Sequence, residues 1–157
     1  MGYATYLKLD GLVGDCAEEA HRGWVFVDSF NHTLSHDGRG GQVHLGEMSI
    51  AKCVDRATPL LARAAAEGRL FRQACLEFCQ TEGARSKFME IRLEGVRVTM
   101  HSLSGGSPGD TRTPFENASL GFEKIEWSYY PSAFEPKAGT AVEVRAGWDA
   151  PAALATA

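Results

Sequence analysis

The strongest constraint on the fold is a pair of β-strand patterns that change phase halfway. In the first, the apolar positions shift after a glycine at position 95: Met89, Ile91 and Leu93, then Val96, Val98 and Met100. The second behaves in the same way: Ala118, Leu120 and Phe122, then Ile125, Trp127 and Tyr129. Alternation with a period of two is typical of a strand, and a phase change at a glycine indicates a β-bulge or a sharp bend. These strands predict a strongly curved barrel, or a sheet that leaves one core and joins another surface.

The rest of the chain adds further short strands and one helix. Strands are predicted at about 5–10, 24–30, 48–53, 74–79 and 141–146. A helix is predicted over 58–67, with Thr58 as its N-cap and Pro59 at the first helical position. Gly68 is the expected stop signal. The sequence therefore predicts a mainly β chain.

A long stretch rich in Gly, His and Ser runs from about Asn31 to Gly46. At roughly 16 residues it exceeds the ordinary length of a connection, and loops of this length are commonly functional or disordered. In the strand before it, Ser29 and Asn31 share one side with two valines, so this side becomes polar at its end.

Length, charge and the first residues exclude several classes of protein. A chain of 157 residues is one domain of ordinary size, which we place at 1–150, followed by a short flexible tail at 151–157. The net charge of −4 argues against a protein that coats nucleic acid. The N-terminus lacks a basic region followed by an apolar run, and no segment is apolar enough to span a membrane. We therefore expect synthesis in the cytoplasm, no signal peptide and no membrane insertion.

Candidate metal ligands and nucleophiles match no established motif. Cys75 and Cys79 are four residues apart on a predicted strand, a span of roughly 13 Å, so they neither bridge each other nor chelate one ion while that strand is regular. His32, His36 and His44 fall in the long loop, but at no recognised zinc spacing. The sequence shows no nucleophile elbow, phosphate loop or convergent carboxylate pair. We predict no enzyme activity, no catalytic residue, no cofactor and no bound metal.

Four segments, in order along nearly the whole chain, resemble one known family, the Hcp (haemolysin-coregulated) proteins. The first is Tyr6–Gly14, followed by His21 and the strand at 24–30. The second, Asp55–Leu61, resembles the family's D-K-x-(S/T)-P run before its single helix. The third, Glu116–Tyr129, is similar to its E-x-(V/A)-S-L-x-F-x-K-I-x-(W/V)-x-Y strand. The fourth, Gly147–Asp149, resembles its closing Gly-Trp-(D/N).

The resemblance implies both a fold and a function. The implied fold is a small β-barrel of two packed antiparallel sheets, with one short α-helix at about 58–67 and a long loop at about 31–46. The implied function is structural: a hexameric ring that stacks into the inner tube of the type VI secretion system. The tube would be secreted, outside the cell or into a target cell, and would carry or chaperone effectors in its channel. The implied partners are copies of this chain, the spike protein, the sheath and baseplate, and small effector proteins.

Three sets of residues are candidates for these contacts. Stacking or subunit contacts are assigned to the long loop: Asn31, His32, Arg39 and Gln42. Contact with the channel lumen is assigned to two small polar residues, since a water-filled wall should carry such side chains: Ser29 and Asn31. Contacts within the ring are assigned to the strands that change face: Val96, Val98, Ile125, Trp127 and Tyr129. The alternative for these strands is that both of their halves serve one core.

Two other functions stay open. One is a monomeric β-barrel binding or adaptor module, which a monomer in solution would favour. The other is a metal-dependent enzyme built on His32, His36 and His44, which tight stoichiometric zinc would favour.

Overall fold

The computed structural model describes residues 2–83, 86–107, 109, 113–131 and 143–150, and the backbone of 154–156. Its strands are β1 (Tyr3–Leu9), β2 (Val25–Val27), β3 (Ser29–Asn31), β4 (Leu34–His36), β5 (Val43–Leu45), β6 (Met48–Cys53), β7 (Leu70–Gln80), β8 (Lys87–Ser104), β9 (Phe115–Gly121), β10 (Lys124–Tyr129), β11 (Val144–Asp149) and β12 (Leu154–Thr156). A 3-10 turn covers Glu19–His21, and helix α1 covers Thr58–Glu67. No helix in these ranges is long and apolar enough to cross a membrane.

Ten strands form one antiparallel sheet, and β4 and β5 form a second, two-stranded one. The large sheet runs in the order β12-β11-β10-β8-β7-β1-β2, and a branch in the order β9-β6-β3 leaves it at β8. The mainly β class, the antiparallel sheets and the single helix are confirmed. The sheet differs from the prediction because it does not close into a barrel. The chain passes from β2 to β3 at Asp28, whose N–H donates to the Ala51 carbonyl at 2.9 Å, and β2 pairs with β1 while β3 pairs with β6.

Strand β8 belongs to both parts of the large sheet. Its first half pairs with β10 and its second half with β9. Between the halves, Gly95 has a φ of +63°, and a Cβ built there would lie 2.6 Å from the Glu123 carboxylate. This left-handed conformation favours glycine. The buried positions shift at this point, as the phase change predicts: Ile91 and Leu93, then Val96 and Val98.

The predicted tail and last strand fall near the end of the described chain. β11 lies three residues later than predicted, at Val144–Asp149, and its backbone pairs with β12 at Leu154–Thr156. Residues 151–153 and 157 lie outside the described residues, so the flexible tail at 151–157 stays a prediction.

Helix α1 has the predicted bounds but a different N-cap. It ends at Gly68, which has a φ of +64°. The N-cap residue is Ala57, one position before the prediction, and Thr58 is the first helical residue. The Asp55 carboxylate supplies the missing capping acceptor, because it accepts the Ala57 N–H at 2.9 Å. The Thr58 hydroxyl accepts the Asp55 N–H at 3.0 Å and donates its own proton to Glu116.

A lysine and a carboxylate are buried beneath the start of α1. Lys52 on β6 is 1% exposed and Glu116 on β9 is 0% exposed. The Lys52 Nζ donates to Glu116 Oε2 at 2.7 Å and to Asp55 Oδ1 at 2.9 Å. Thr58 Oγ1 donates to Glu116 Oε2, and His101 Nε2 on β8 lies 3.0 Å from Glu116 Oε1. Burial alone would raise the pKa of Glu116, but these hydrogen bonds outweigh it and hold that pKa below its usual range.

Removing the cation from this network should be costly. We predict that Lys52→Met lowers the free energy of unfolding by about 3–5 kcal/mol, because a buried carboxylate is left without its partner. Chemical denaturation measures this loss. Lys124→Met is the matched control, because the Lys124 side chain is 52% exposed and its ion pair with Asp149 spans 3.5 Å. The control should lose less than about 1 kcal/mol. Equal losses in the two variants would show that the buried network does not stabilise the fold.

Candidate functional site

One face of the branch formed by β3, β6, β9 and the second half of β8 carries mostly small polar side chains. Strand register aligns them in two rows across the four strands: Ser29, Ala51, Asn117 and Ser102, then Asn31, Ser49, Ser119 and Met100. We call these eight residues the small-polar face. A groove of about 560 Å³ lies over it. Both residues predicted near a lumen, Ser29 and Asn31, are on this face and exposed.

Part of the predicted long loop is ordered as a hairpin. β4 and β5 pair from Leu34 opposite Leu45 to His36 opposite Val43. The sequence predicted only a loop here. Strands of three residues are long enough to pair, but they are too short to show an alternation of apolar and polar residues.

The four residues predicted for stacking contacts occupy different positions. Arg39 and Gln42 are exposed at the tip of the hairpin, and Asn31 is exposed at the end of β3. His32 instead packs on its own subunit, with its ring centroid 5.6 Å from that of Phe122. Burial lowers the pKa of His32 below its usual value. Of these four residues, Asn31, Arg39 and Gln42 are therefore exposed and His32 is half-buried.

The three loop histidines do not converge on one metal position. In the described part of the chain, the ligand atoms of His32, His36 and His44 form no group within 4.8 Å of one another. The His36 Nδ1 accepts the Gly38 N–H at 3.0 Å, and the His44 Nε2 lies 2.7 Å from Asp37 Oδ1. The arrangement of these three histidines therefore gives the metal-dependent enzyme no support.

The apolar rows predicted for subunit contacts serve mainly the subunit's own core. Val96, Val98 and Ile125 are 0%, 1% and 1% exposed, so these three side chains are buried within the subunit itself. The bend in β8 turns its second half, which carries Val96 and Val98, back over the core, and Ile125 of β10 packs in the same core. Trp127 is half-buried against that core, whereas Tyr129 is 41% exposed.

The apolar row of β10 therefore continues out of the core at its last residue. Tyr129 lies opposite Val144 of β11, and Val144 is 62% exposed. These two side chains extend the apolar surface of the core to the surface of the subunit.

A second, smaller cluster is buried on the face of β1 and β7 that points away from the main core. The segment 10–24 covers this face and buries Tyr6, Cys16 and Cys79. His21, which is 4% exposed, lies within the cluster. Its ring stacks on Tyr6 at 3.9 Å between centroids and meets Trp24 edge-on at 4.9 Å.

This cluster brings a thiol, an imidazole and carboxylates together. Cys79 Sγ lies 3.9 Å from His21 Nε2, and Glu77 Oε1 lies 2.8 Å from the same nitrogen. The set has the composition of a nucleophile, a base and an orienting acid. However, burial, with the charges of Glu77 and Glu18, raises the pKa of the Cys79 thiol to about 11. A buried, protonated thiol is inert, so the cluster is not an active site for nucleophilic catalysis.

Sequence analysis missed this cluster because its members are far apart in the chain. His21 comes from a loop that has no pattern, and it reaches Glu77 only after β1 and β7 have paired. The sequence contained one signal of this cluster. Cys75, Glu77 and Cys79 share one face of a strand, and the residues between them form an apolar face.

The thiols should differ in reactivity. We predict that iodoacetamide at neutral pH modifies Cys53 first, because Cys53 is exposed. Cys75 and Cys79 should react far more slowly, since burial is the main cause that raises their pKa values to about 12 and about 11. Peptide mapping over time measures the order. Modification of Cys79 as fast as that of Cys53 would mean that this thiol is activated.

Comparisons with known proteins agree on one family. A family model described as "Type VI secretion system effector, Hcp" matches residues 6–129. Protein hcp1 of Pseudomonas aeruginosa is 30% identical over 109 residues, which are 69% of this chain and 65% of that protein. The match thus spans just under two thirds of that relative's length. The Major exported protein of the same organism is 27% identical over 132 residues, which are 74% of this chain and 75% of that protein.

Solved structures show the same fold. Hcp1 from Salmonella typhimurium superposes with a TM-score of 0.85 at 22% identity, covering 99% of this chain and 100% of that one. A structure described as a type six secretion system protein gives a TM-score of 0.87 at 24% identity, with the same coverage. The family model runs from β1 to the end of β10 and so includes the helix, both halves of β8 and the small-polar face. The chain therefore belongs to the Hcp family of type VI secretion system proteins.

Proposed function

We propose that this chain assembles with copies of itself into hexameric rings, which stack into the inner tube of the type VI secretion system. After synthesis in the cytoplasm, the tube meets the spike, sheath and baseplate and is exported, with small effectors in its channel. The role of the chain is structural rather than catalytic. Family membership supports the type VI assignment, and the surfaces of the subunit support the finer roles.

The small-polar face is the observation that carries this proposal. Its four strands are separated by three spacings of about 4.8 Å, so its outer strands lie roughly 14 Å apart. None of its eight residues is charged, although 23% of the chain is Asp, Glu, Lys or Arg. The outer strands of this face are exposed at Ser29, Asn31, Met100 and Ser102, and its middle strands are half-buried or buried. A sheet face without charge neither repels nor traps cargo by its electrostatics, and small polar groups keep it hydrated. These properties suit the wall of a water-filled channel that passes different proteins.

Two other surfaces suit contacts between copies. The exposed apolar pair of Tyr129 and Val144 lies at the edge of the core and suits lateral contacts within a ring. The hairpin tip at 37–42 carries both signs of charge, in Asp37 and Arg39, and suits contacts between stacked rings.

A label on the small-polar face tests where this face lies in a ring. Ser29→Cys in a Cys53→Ser background provides one exposed thiol, and a gold cluster attached to it should appear inside the channel by electron microscopy. Val13→Cys in the same background is the control, because Val13 is 54% exposed on the segment that covers the opposite side of β1 and β7. Its gold should appear outside the channel. Gold from Ser29→Cys on the outer rim would refute the lumen assignment.

A second experiment tests the hairpin tip. Replacing Asp37–Gln42 with Asn-Gly should leave the three pairs of β4 and β5 intact, because a two-residue type I′ turn suits such a register. We predict separate rings in place of stacks, with an unchanged thermal midpoint of the subunit. Arg39→Ala with the full tip is the milder comparison. Stacks as long as those of the unaltered chain would mean that the tip makes no stacking contact.

A further inference from the structure

The buried cluster on β1 and β7 contains three atoms that can bind a metal. His21 Nε2, Glu77 Oε1 and Cys79 Sγ all lie within 4.8 Å of one another. The nitrogen is 2.8 Å from the carboxylate oxygen and 3.9 Å from the sulfur. A tetrahedral zinc ion with bonds of about 2.0–2.3 Å sets its ligands roughly 3.3–3.8 Å apart. Small side-chain rotations therefore reach that geometry.

The second ring nitrogen of His21 faces a carboxylate. His21 Nδ1 lies 3.5 Å from Glu18 Oε1, and the Tyr6 hydroxyl donates to Glu18 Oε2 at 2.5 Å. Histidines that bind zinc usually donate their other N–H to a carboxylate, which fixes the tautomer and the ring. The stacked Tyr6 ring and the Trp24 edge hold the imidazole plane as well. His21 Nδ1 makes no hydrogen bond within the described part of the chain, and Glu18 is the carboxylate placed to accept its N–H once Nε2 binds a metal.

A neighbouring group shares Glu77 but is less suited to a cation. Cys75, Glu77 and Glu90 also lie within 4.8 Å of one another. There, however, the Lys87 Nζ lies 2.6 Å from Glu90 Oε2, and the Arg92 Nε binds Glu90 Oε1. Two cations already neutralise that carboxylate and would repel a metal. At the His21 group, the nearby cation is Lys87, 3.5 Å from the other oxygen of Glu77.

We propose that His21, Glu77 and Cys79 form a zinc site, with Glu18 as the outer partner of His21. Zinc binding would release the proton that the Cys79 thiol carries in the metal-free chain. One imidazole, one thiolate and one carboxylate are a donor set that zinc accepts, whereas magnesium and calcium prefer oxygen alone. The ion enters from the side of Glu77, which lines a surface cavity of about 220 Å³ together with Trp24.

The ion would fasten the segment 10–24 to β7. That segment has no strand of its own. Backbone bonds such as Gly14 N–H to Gly23 O at 2.7 Å and Cys16 N–H to Trp24 O at 3.1 Å lie within it, and at its start the Asp10 N–H donates to the Gln73 carbonyl of β7 at 3.2 Å. A metal bound to the folded chain and not to the unfolded one stabilises the fold by mass action. The proposed role of the ion is therefore to stabilise the fold of the subunit, with three ligands from the protein.

The test uses the full, reduced chain after treatment with EDTA, in a Cys53→Ser background that removes the exposed thiol. The chain is titrated with Zn²⁺ and with Co²⁺. We expect one ion per chain, a thiolate-to-cobalt charge-transfer band, and a thermal midpoint that rises with Zn²⁺. Loss of a residue that only supports a ligand lowers metal affinity by up to roughly 100-fold. Cys79→Ser removes a ligand, so it should lower zinc affinity by more than this and should abolish the charge-transfer band.

Cys75→Ser is the matched control, because Cys75 also lies two residues from Glu77 on the same strand face. It should bind zinc as the unaltered background does. His21→Gln should lose binding as Cys79→Ser does, and if that variant does not fold, the two cysteine variants alone decide. Three results would overturn the proposal: no stoichiometric binding by the background chain, equal binding by Cys79→Ser, or loss of binding in Cys75→Ser.

Discussion

The pair of Lys52 and Glu116 holds together the part of the molecule that carries its proposed function. Lys52 comes from β6, Glu116 from β9, His101 from β8 and Thr58 from α1, so one polar network joins four elements. A buried ion pair adds little to the free energy of unfolding, but removal of one partner lowers that free energy strongly. The network therefore acts as a constraint: β6, β8, β9 and α1 must meet in one arrangement for its charges to be satisfied.

The buried network also determines which side chains lie on the opposite face of its strands. Side chains alternate between the two faces of a strand. On β6, Met48, Ile50 and Lys52 point to the core beneath the helix, and Ser49 and Ala51 point away from it. A slip of one residue would exchange the two sets. The buried network thus fixes the register that places the small-polar face outside, where the proposed channel needs it.

The sequence predicted the elements that depend on local patterns. The phase change at Gly95 and the end of α1 at Gly68 are confirmed, because each depends on a glycine conformation that neighbouring residues reveal. Such local patterns do not predict which surface packs against a row of apolar residues. Alternation showed that Val96 and Ile125 share a side with other apolar residues, but not whether that side meets the subunit's own core or a second copy.

Contacts between distant residues were the hardest to foresee. A lysine on a strand is usually exposed, so Lys52 gave no sign that Glu116, on another strand, would neutralise it within the core. The His21 cluster has the same origin, since His21 reaches Glu77 through strand pairing. The resemblance to the Hcp family supplied the family assignment that local patterns alone left open, and the family match confirms it.

The most direct test of the proposed role is the mass of the purified chain at micromolar concentration, measured by light scattering and combined with electron microscopy of the same sample. We predict a particle of six times the mass of the chain, seen as a six-fold ring with an open channel. A monodisperse monomer that forms no rings at any concentration tested would contradict this role and would favour a monomeric binding or adaptor module.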